Sequence, residues 1–154
     1  MAEPGRADRA ERVIAAGAEK LFSCWTDPAM LVQWLPPRGM FGRVEKFDPR
    51  PGQPFRIVLG YEDPDQPGKS GDGSDVVAAQ FVAVDPPRHL AFVSRFRGDD
   101  PKFQGEMRMD WHFDPVPGGT RVRVVARDVP PGIGAEEHVA ALQSSLSQLA
   151  ALVE

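Results

Sequence analysis

Apolar and polar residues alternate with period two through most of the middle of the chain. Phe55, Ile57, Leu59 and Tyr61 share one face of a first run. Phe81 and Ala83 share a face of the next run, and Leu90, Phe92, Ser94 and Phe96 a face of a third. The clearest case sets Met107, Met109, Trp111 and Phe113 against Glu106, Arg108, Asp110 and His112. Successive side chains of a strand point to opposite faces, so this pattern predicts an antiparallel sheet with one packed face and one wet face. Pro117-Gly118-Gly119-Thr120 then turns the chain into Val122, Val124 and Ala126, which alternate with Arg121, Arg123 and Arg127; the two runs read as a hairpin. Prolines at 49, 51, 54, 86, 87, 115, 117, 130 and 131 fall at the edges of these runs. They mark loops and strand ends, because proline lacks the amide donor that a central strand needs.

The period changes near both ends. Val139, Leu142, Leu146, Leu149 and Val153 lie at steps of three and four, one helical stripe over residues 136–153. Glu136 and Glu137 fall in its first turn, where the helix dipole favours negative charge. Nearer the start, Leu21, Phe22 and Trp25 precede Asp27-Pro28, and Met30, Leu31 and Trp34 follow it. Asp suits an N-cap and Pro the first helical position, so this stretch reads as two short helices joined at a sharp corner. The predicted order is a strand, two short helices, about six antiparallel strands and one long helix, an α+β architecture. A curved sheet with one apolar face needs a cover, and only the C-terminal helix is long enough to supply it.

A length of 154 residues suits one domain with a substantial core. The boundaries read as a short mobile N-terminus, 1–8, and one domain, 9–154. The net charge of −4 argues against a general nucleic-acid binder. A lone cysteine, Cys24, forms no internal disulfide and fits a reducing compartment. No apolar run approaches the roughly 20 residues of a membrane span, and residues 1–8 do not resemble a signal peptide, so a cytoplasmic protein is expected.

The stretch from Ala10 to Trp34, the Leu35-Pro36-Pro37 after it, Pro86-Pro87 before a strand, the Trp111 strand with Pro117-Gly118-Gly119-Thr120, and the amphipathic C-terminal helix resemble the START-like (SRPBCC) superfamily. Within it they are most similar to bacterial relatives of the C-terminal domain of the heat-shock-protein ATPase activator. The resemblance implies a helix-grip fold, in which a curved sheet wraps the C-terminal helix and often leaves a cavity between them. Ligand carriers, cyclases and co-chaperone domains share that fold. The resemblance does not extend to the activator's N-terminal half, so ATPase activation is not expected from it.

Motifs for catalysis or metal binding are sparse. His89, His112 and His138 are far apart in sequence, in different elements, and no Cys or His pair has ligand spacing, so no metal site is expected. Asp63-Pro64-Asp65-Gln66-Pro67-Gly68 lacks calcium-loop oxygens at Pro67 and Ser74, and Gly68-Lys69-Ser70 lacks the context of a phosphate loop. The segment from Glu62 to Ser74 reads as a mobile polar loop. Cys24, among Leu21, Phe22 and Trp25, reads as an inert buried thiol. Arg108, Asp110, His112, Arg121, Arg123 and Arg127 fall on the wet face, where cross-strand charge pairs account for them.

What remains is the apolar face. Phe55, Ile57, Leu59, Tyr61, Phe81, Phe92, Phe96, Met107, Met109 and Trp111 are its candidate ligand-lining residues, with Leu142, Ser145, Leu146 and Leu149 opposite on the helix. Tyr61 and Ser145 offer polar handles among apolar walls, and methionines adapt to what they bind. The expected function is non-enzymatic binding of a small apolar or amphipathic ligand between sheet and helix, without cofactor, metal or catalytic residues, by a monomer or homodimer. The alternatives are a protein-interaction, co-chaperone-like module and a cyclase- or hydratase-type enzyme with Tyr61 or His138 as acid or base.

Overall fold

A computed structural model describes residues 6–63, 65, 74–96, 98 and 100–154. The chain runs β1 (Ala7–Ile14), α1 (Ala18–Thr26), α2 (Pro28–Trp34), β2 (Met40–Phe47), β3 (Pro54–Tyr61), β4 (Ser74–Asp85), β5 (His89–Phe96), a short 3-10 turn (Pro101–Phe103), β6 (Met107–Val116), β7 (Gly119–Arg127) and α3 (Ala135–Val153). The seven strands form one antiparallel sheet in the order β1-β7-β6-β5-β4-β3-β2. β1 and β2, consecutive strands, therefore stand at opposite edges, and the α1–α2 corner carries the chain between them. The sheet curls around the helices as a half-barrel, and α3 lies along β1 and against α2.

The helical corner forms for the reasons its sequence suggests. The Asp27 carboxylate accepts from the Ala29 amide at 3.0 Å, and Pro28 opens α2. The hairpin at residues 117–120 pairs Val116 with Gly119 and Phe113 with Val122. Met107, Met109, Trp111 and Phe113 are all buried, as are Val122, Val124 and Ala126 opposite them. On α3 the buried stripe is Leu142, Leu146 and Leu149, joined by Ser145 and Ala150, while Val139 and Val153 at its ends are half-buried.

An aromatic cluster fills the space under α1 and α2. Trp25 lies 5.4–6.0 Å, ring centre to ring centre, from Trp34, Phe55, Phe92 and Trp111. Phe55 stacks on Phe92 at 5.4 Å, and Phe81 closes on Phe55 edge-on at 5.5 Å. The helical corner thus supplies two tryptophans that cover the middle of the sheet. Only the Trp34 indole finds a conventional acceptor, the Cys24 carbonyl at 3.1 Å; the buried indole nitrogens of Trp25 and Trp111 have none among the described residues.

β1 begins at Ala7, inside the segment read from sequence as a mobile terminus. Asp8 is 4% exposed and binds both Arg6 and His138, which fixes the start of the strand. Residues 1–5 lie outside the described residues, as does most of the loop from Glu62 to Ser74 with its Gly68-Lys69-Ser70.

Candidate functional site

The inner face of the sheet divides into two parts. Under the helical corner, Phe55, Ile57, Phe81, Phe92, Met109 and Trp111 are buried in the aromatic cluster or beside it. Toward the far ends of β3 and β5 the cover thins, and Leu59, Tyr61, Val77 and Phe96 are half-buried. The register sets these residues side by side: Met40 faces Tyr61, Leu59 faces Asp75, Val77 faces Phe96, and Ser94 faces Met107. Leu142 is on the α3 stripe that packs into the same core.

Besides Ser94, whose hydroxyl donates to the Met107 carbonyl at 3.5 Å, two polar groups sit at this thinner end. The Tyr61 hydroxyl donates to Asp75 Oδ2 at 2.8 Å, and Asp75 is only 2% exposed. Burial, and then the Asp75 carboxylate beside it, push the Tyr61 pKa well above the ordinary tyrosine range, so the phenol stays protonated. Sequence alternation was the available signal for Asp75: it falls in phase with Val77 and Ala79 on the apolar face. A lone aspartate at a strand start is equally compatible with a loop, so alternation alone does not mark its partner.

Ser145 is placed differently from expectation. Its hydroxyl donates to the Leu35 carbonyl at 2.6 Å and to its own helix at Ala141, 3.3 Å. Ser144 Oγ accepts from the Arg38 amide at 2.9 Å, and Gln148 Nε2 donates to the carbonyls of Trp34 and Pro36 at 2.8 and 2.7 Å. These three side chains form a polar seam between α3 and residues 34–38, so Ser145 is a structural tie to the end of α2 and not a handle on open volume. Pro36, held by the seam, packs over Gly42 on β2, where an added Cβ would meet its Cγ at 2.8 Å and lie 3.5 Å from Leu59. The seam thereby sets the cover over the β2–β3 part of the inner face.

His138 does not join Tyr61. Its Nδ1 lies 2.7 Å from the Asp8 carboxylate at the β1 edge, and four strands separate β1 from β3 in the sheet. A surface cleft of about 470 Å³ lies elsewhere, between α1 and the β4–β5 turn, lined mainly by Phe22, Thr26, Pro49, Val84, Pro86 and Pro87. Cys24 is buried, and burial raises its thiol pKa, which agrees with an inert role.

On the wet face, charges pair as alternation predicts: Arg108 with Asp110 at 2.9 Å and Arg123 with Asp114 at 2.9 Å. The separation argument for the histidines fails here. His89 and His112 are direct cross-strand partners, with rings stacked 4.7 Å apart, and His89 Nε2 lies 2.8 Å from Asp110 Oδ2. Distance along the chain hides this, because the β5–β6 ladder brings the two positions together.

Comparison with known proteins places the fold. A solved protein from Chromobacterium violaceum matches with a TM-score of 0.85 and 28% identity, covering 96% of each chain. A protein named AHSA1 from Silicibacter pomeroyi matches at 0.76 and 26% identity, again over 96% of each chain. A Mycobacterium smegmatis protein shares the fold at 0.72 and 20% identity, over 96% of this chain and 90% of its own. No curated protein matches. No helix among the described residues is long and apolar enough to cross a membrane. The model of one family matches residues 15–154, nearly the whole chain, and with the helix-grip fold it shows that the chain belongs to the family described as Activator of Hsp90 ATPase homolog 1-like protein.

Proposed function

We propose that the protein binds a small amphipathic molecule at the thinly covered end of the inner face, with its apolar part against Leu59, Val77, Phe96 and Met107 and its polar end at Tyr61 and Asp75. The observation that carries this reading is the Tyr61–Asp75 pair: a buried carboxylate and a protonated phenol, hydrogen-bonded at 2.8 Å, on a mostly apolar concave face. Burying such a pair costs desolvation that a filled core would avoid, whereas ligand sites combine apolar walls with a few fixed polar groups. The half-buried state of Leu59, Tyr61, Val77 and Phe96 supports room for a ligand beside that pair. Phe55, Phe81, Phe92 and Trp111 serve instead as the rigid floor under the helical corner.

The test is saturable binding of an environment-sensitive amphipathic dye to the full chain, with native mass spectrometry of the purified protein for a retained small molecule. If the proposed site has room, Leu59→Trp is expected to fold and to abolish dye binding, and Tyr61→Phe is expected to weaken it. No saturable binding by the unmodified protein, with strong destabilisation by Leu59→Trp, overturns the reading and favours the protein-interaction module that the family's name suggests. Turnover of a bound molecule that stops in Tyr61→Phe would instead favour a cyclase- or hydratase-type enzyme.

A further inference from the structure

On the outer face of the sheet, away from the inner-face site, three side chains of metal-binding type converge. His89 opens β5, and His112 stands directly across from it on β6. Asp110 lies two residues before His112, so strand alternation puts it on the same face. One donor atom from each of the three falls within 4.8 Å of the others, and all three residues are half-buried. We propose that His89, Asp110 and His112 form a binding site for one borderline divalent transition ion of the zinc class.

The scaffold holds these groups before any ion arrives. The Phe113 amide donates to the Arg88 carbonyl at 2.9 Å, which pins the turn ahead of His89 to the strand that carries His112. The two rings stack 15° from parallel, so their nitrogens lie side by side and one ring must splay from the stack for both to meet one ion. Arg108 donates to both Asp110 oxygens, Nε to Oδ1 at 2.9 Å and Nη2 to Oδ2 at 3.3 Å, and Oδ2 also lies 2.8 Å from His89 Nε2. Nε2 and Oδ2 lie 2.8 Å apart, and in the tautomer with the proton on Nε2 the histidine donates to the carboxylate. An ion takes that proton's place once the proton moves to Nδ1 or leaves. With bonds of about 2.0–2.2 Å, tetrahedral donors lie about 3.3 Å apart, so donor atoms now within 4.8 Å of one another must draw closer as the rings rotate out of their stack.

The donor set decides the class of ion. Two imidazoles and one carboxylate suit zinc, copper or nickel, whereas magnesium and calcium prefer shells made of oxygen. Three protein ligands leave at least one position for water. Two cations oppose binding: Arg108, which also contacts Asp110 Oδ2 at 3.3 Å, and Arg123, whose position faces His112 across the β6–β7 ladder. Arg123 is itself paired with Asp114. The site is therefore expected to be weaker than a structural zinc centre.

Calorimetric titration of the full chain with zinc chloride is the test, paired with imidazole nitrogen–proton spectra. One ion per chain is expected, with both His89 and His112 ring signals shifting and those of His138 unchanged. His89→Asn and His112→Asn should each lower the affinity about tenfold or more, by analogy with lost ligand support. His138→Asn should leave it intact. The spectra need no variant, so a substitution that fails to fold still leaves a decisive measurement. Absence of binding, or binding that leaves the His89 and His112 signals unmoved, overturns the proposal.

Discussion

The Ser145 hydroxyl donates to the Leu35 carbonyl across 2.6 Å, and through that bond the last helix holds the end of the second. Ser145 is 3% exposed, and Leu35 immediately precedes the Pro36 that packs over β2. Ser145→Ala leaves a carbonyl without its donor and is expected to lower stability by about 1–3 kcal/mol. Ser145→Trp adds overpacking, worth a further ~1–3 kcal/mol. Urea unfolding monitored by tryptophan fluorescence measures both. A Trp variant as stable as the unmodified protein would mean that the α2–α3 contact contains open volume.

Gly119 sits where no side chain fits. Its φ is +154°, and an added Cβ would lie 2.0 Å from the Ile14 carbonyl oxygen on β1. The obstacle is backbone, held in place by the β1–β7 ladder and by Thr120 Oγ1, which donates to the Ala16 carbonyl at 2.7 Å. Gly118 next to it has φ +86° but nothing within 4 Å of an added Cβ. Gly118→Ala should therefore cost only backbone strain, about 1–3 kcal/mol, while Gly119→Ala should cost more and loosen β1. Thermal unfolding of the two variants side by side gives the order, and equal losses would contradict the close approach to Ile14.

These two cases show what the sequence could and could not reveal. Strand faces were readable because alternation is local, and Met107, Met109, Trp111 and Phe113 are buried as it predicts. The α1–α2 corner was readable because Asp27 and Pro28 act on their own backbone. The Leu142, Leu146 and Leu149 stripe followed from helical spacing. What a residue meets across the fold was not readable in this way. Ser145 resembled a pocket handle by composition, yet its neighbour is a carbonyl 110 residues away. His89 and His112 looked unrelated until the register set them opposite each other. Asp75 carried a weak signal, its phase on the apolar face, but its partner Tyr61 lies across a loop of uninformative composition.

Acid should act on the latch at the β1 edge. The Asp8 carboxylate accepts from Arg6 Nε and Nη2 at 3.2 and 2.9 Å and lies 2.7 Å from His138 Nδ1; Arg6 also donates to the Ile133 carbonyl at 2.7 Å. Burial alone would raise the Asp8 pKa, but the hydrogen bonds and charges of Arg6 and His138 outweigh it and hold the carboxyl below its usual value. A depressed folded pKa contributes stability that is present above the unfolded value, near 4, and is lost as pH falls through the folded one. Unfolding free energy should thus decline below about pH 4, and Asp8→Asn should be less stable at neutral pH with a flatter acid limb. Urea titrations at a series of acidic pH values measure this. An acid limb as steep in Asp8→Asn as in the unmodified protein would remove Asp8 from the account.

The Tyr61–Asp75 contact makes a spectroscopic prediction of its own, because Tyr61 is the chain's one tyrosine. An exposed phenol ionises near pH 10, and its tyrosinate absorbance rises there. Burial and the Asp75 carboxylate both disfavour the phenolate, so the native protein should show no such rise until it unfolds in alkali. In strong denaturant the same band should appear at about pH 10. Asp75→Asn removes the negative charge but not the burial, and should bring the native midpoint part of the way down. Tyr61→Phe deprives Asp75 of that donor in a site 2% exposed, at an expected cost of about 1–3 kcal/mol. Tyrosinate forming near pH 10 in the folded protein would show a solvated phenol, and the thinly covered end of the inner face would lose the polar anchor of the proposed ligand site.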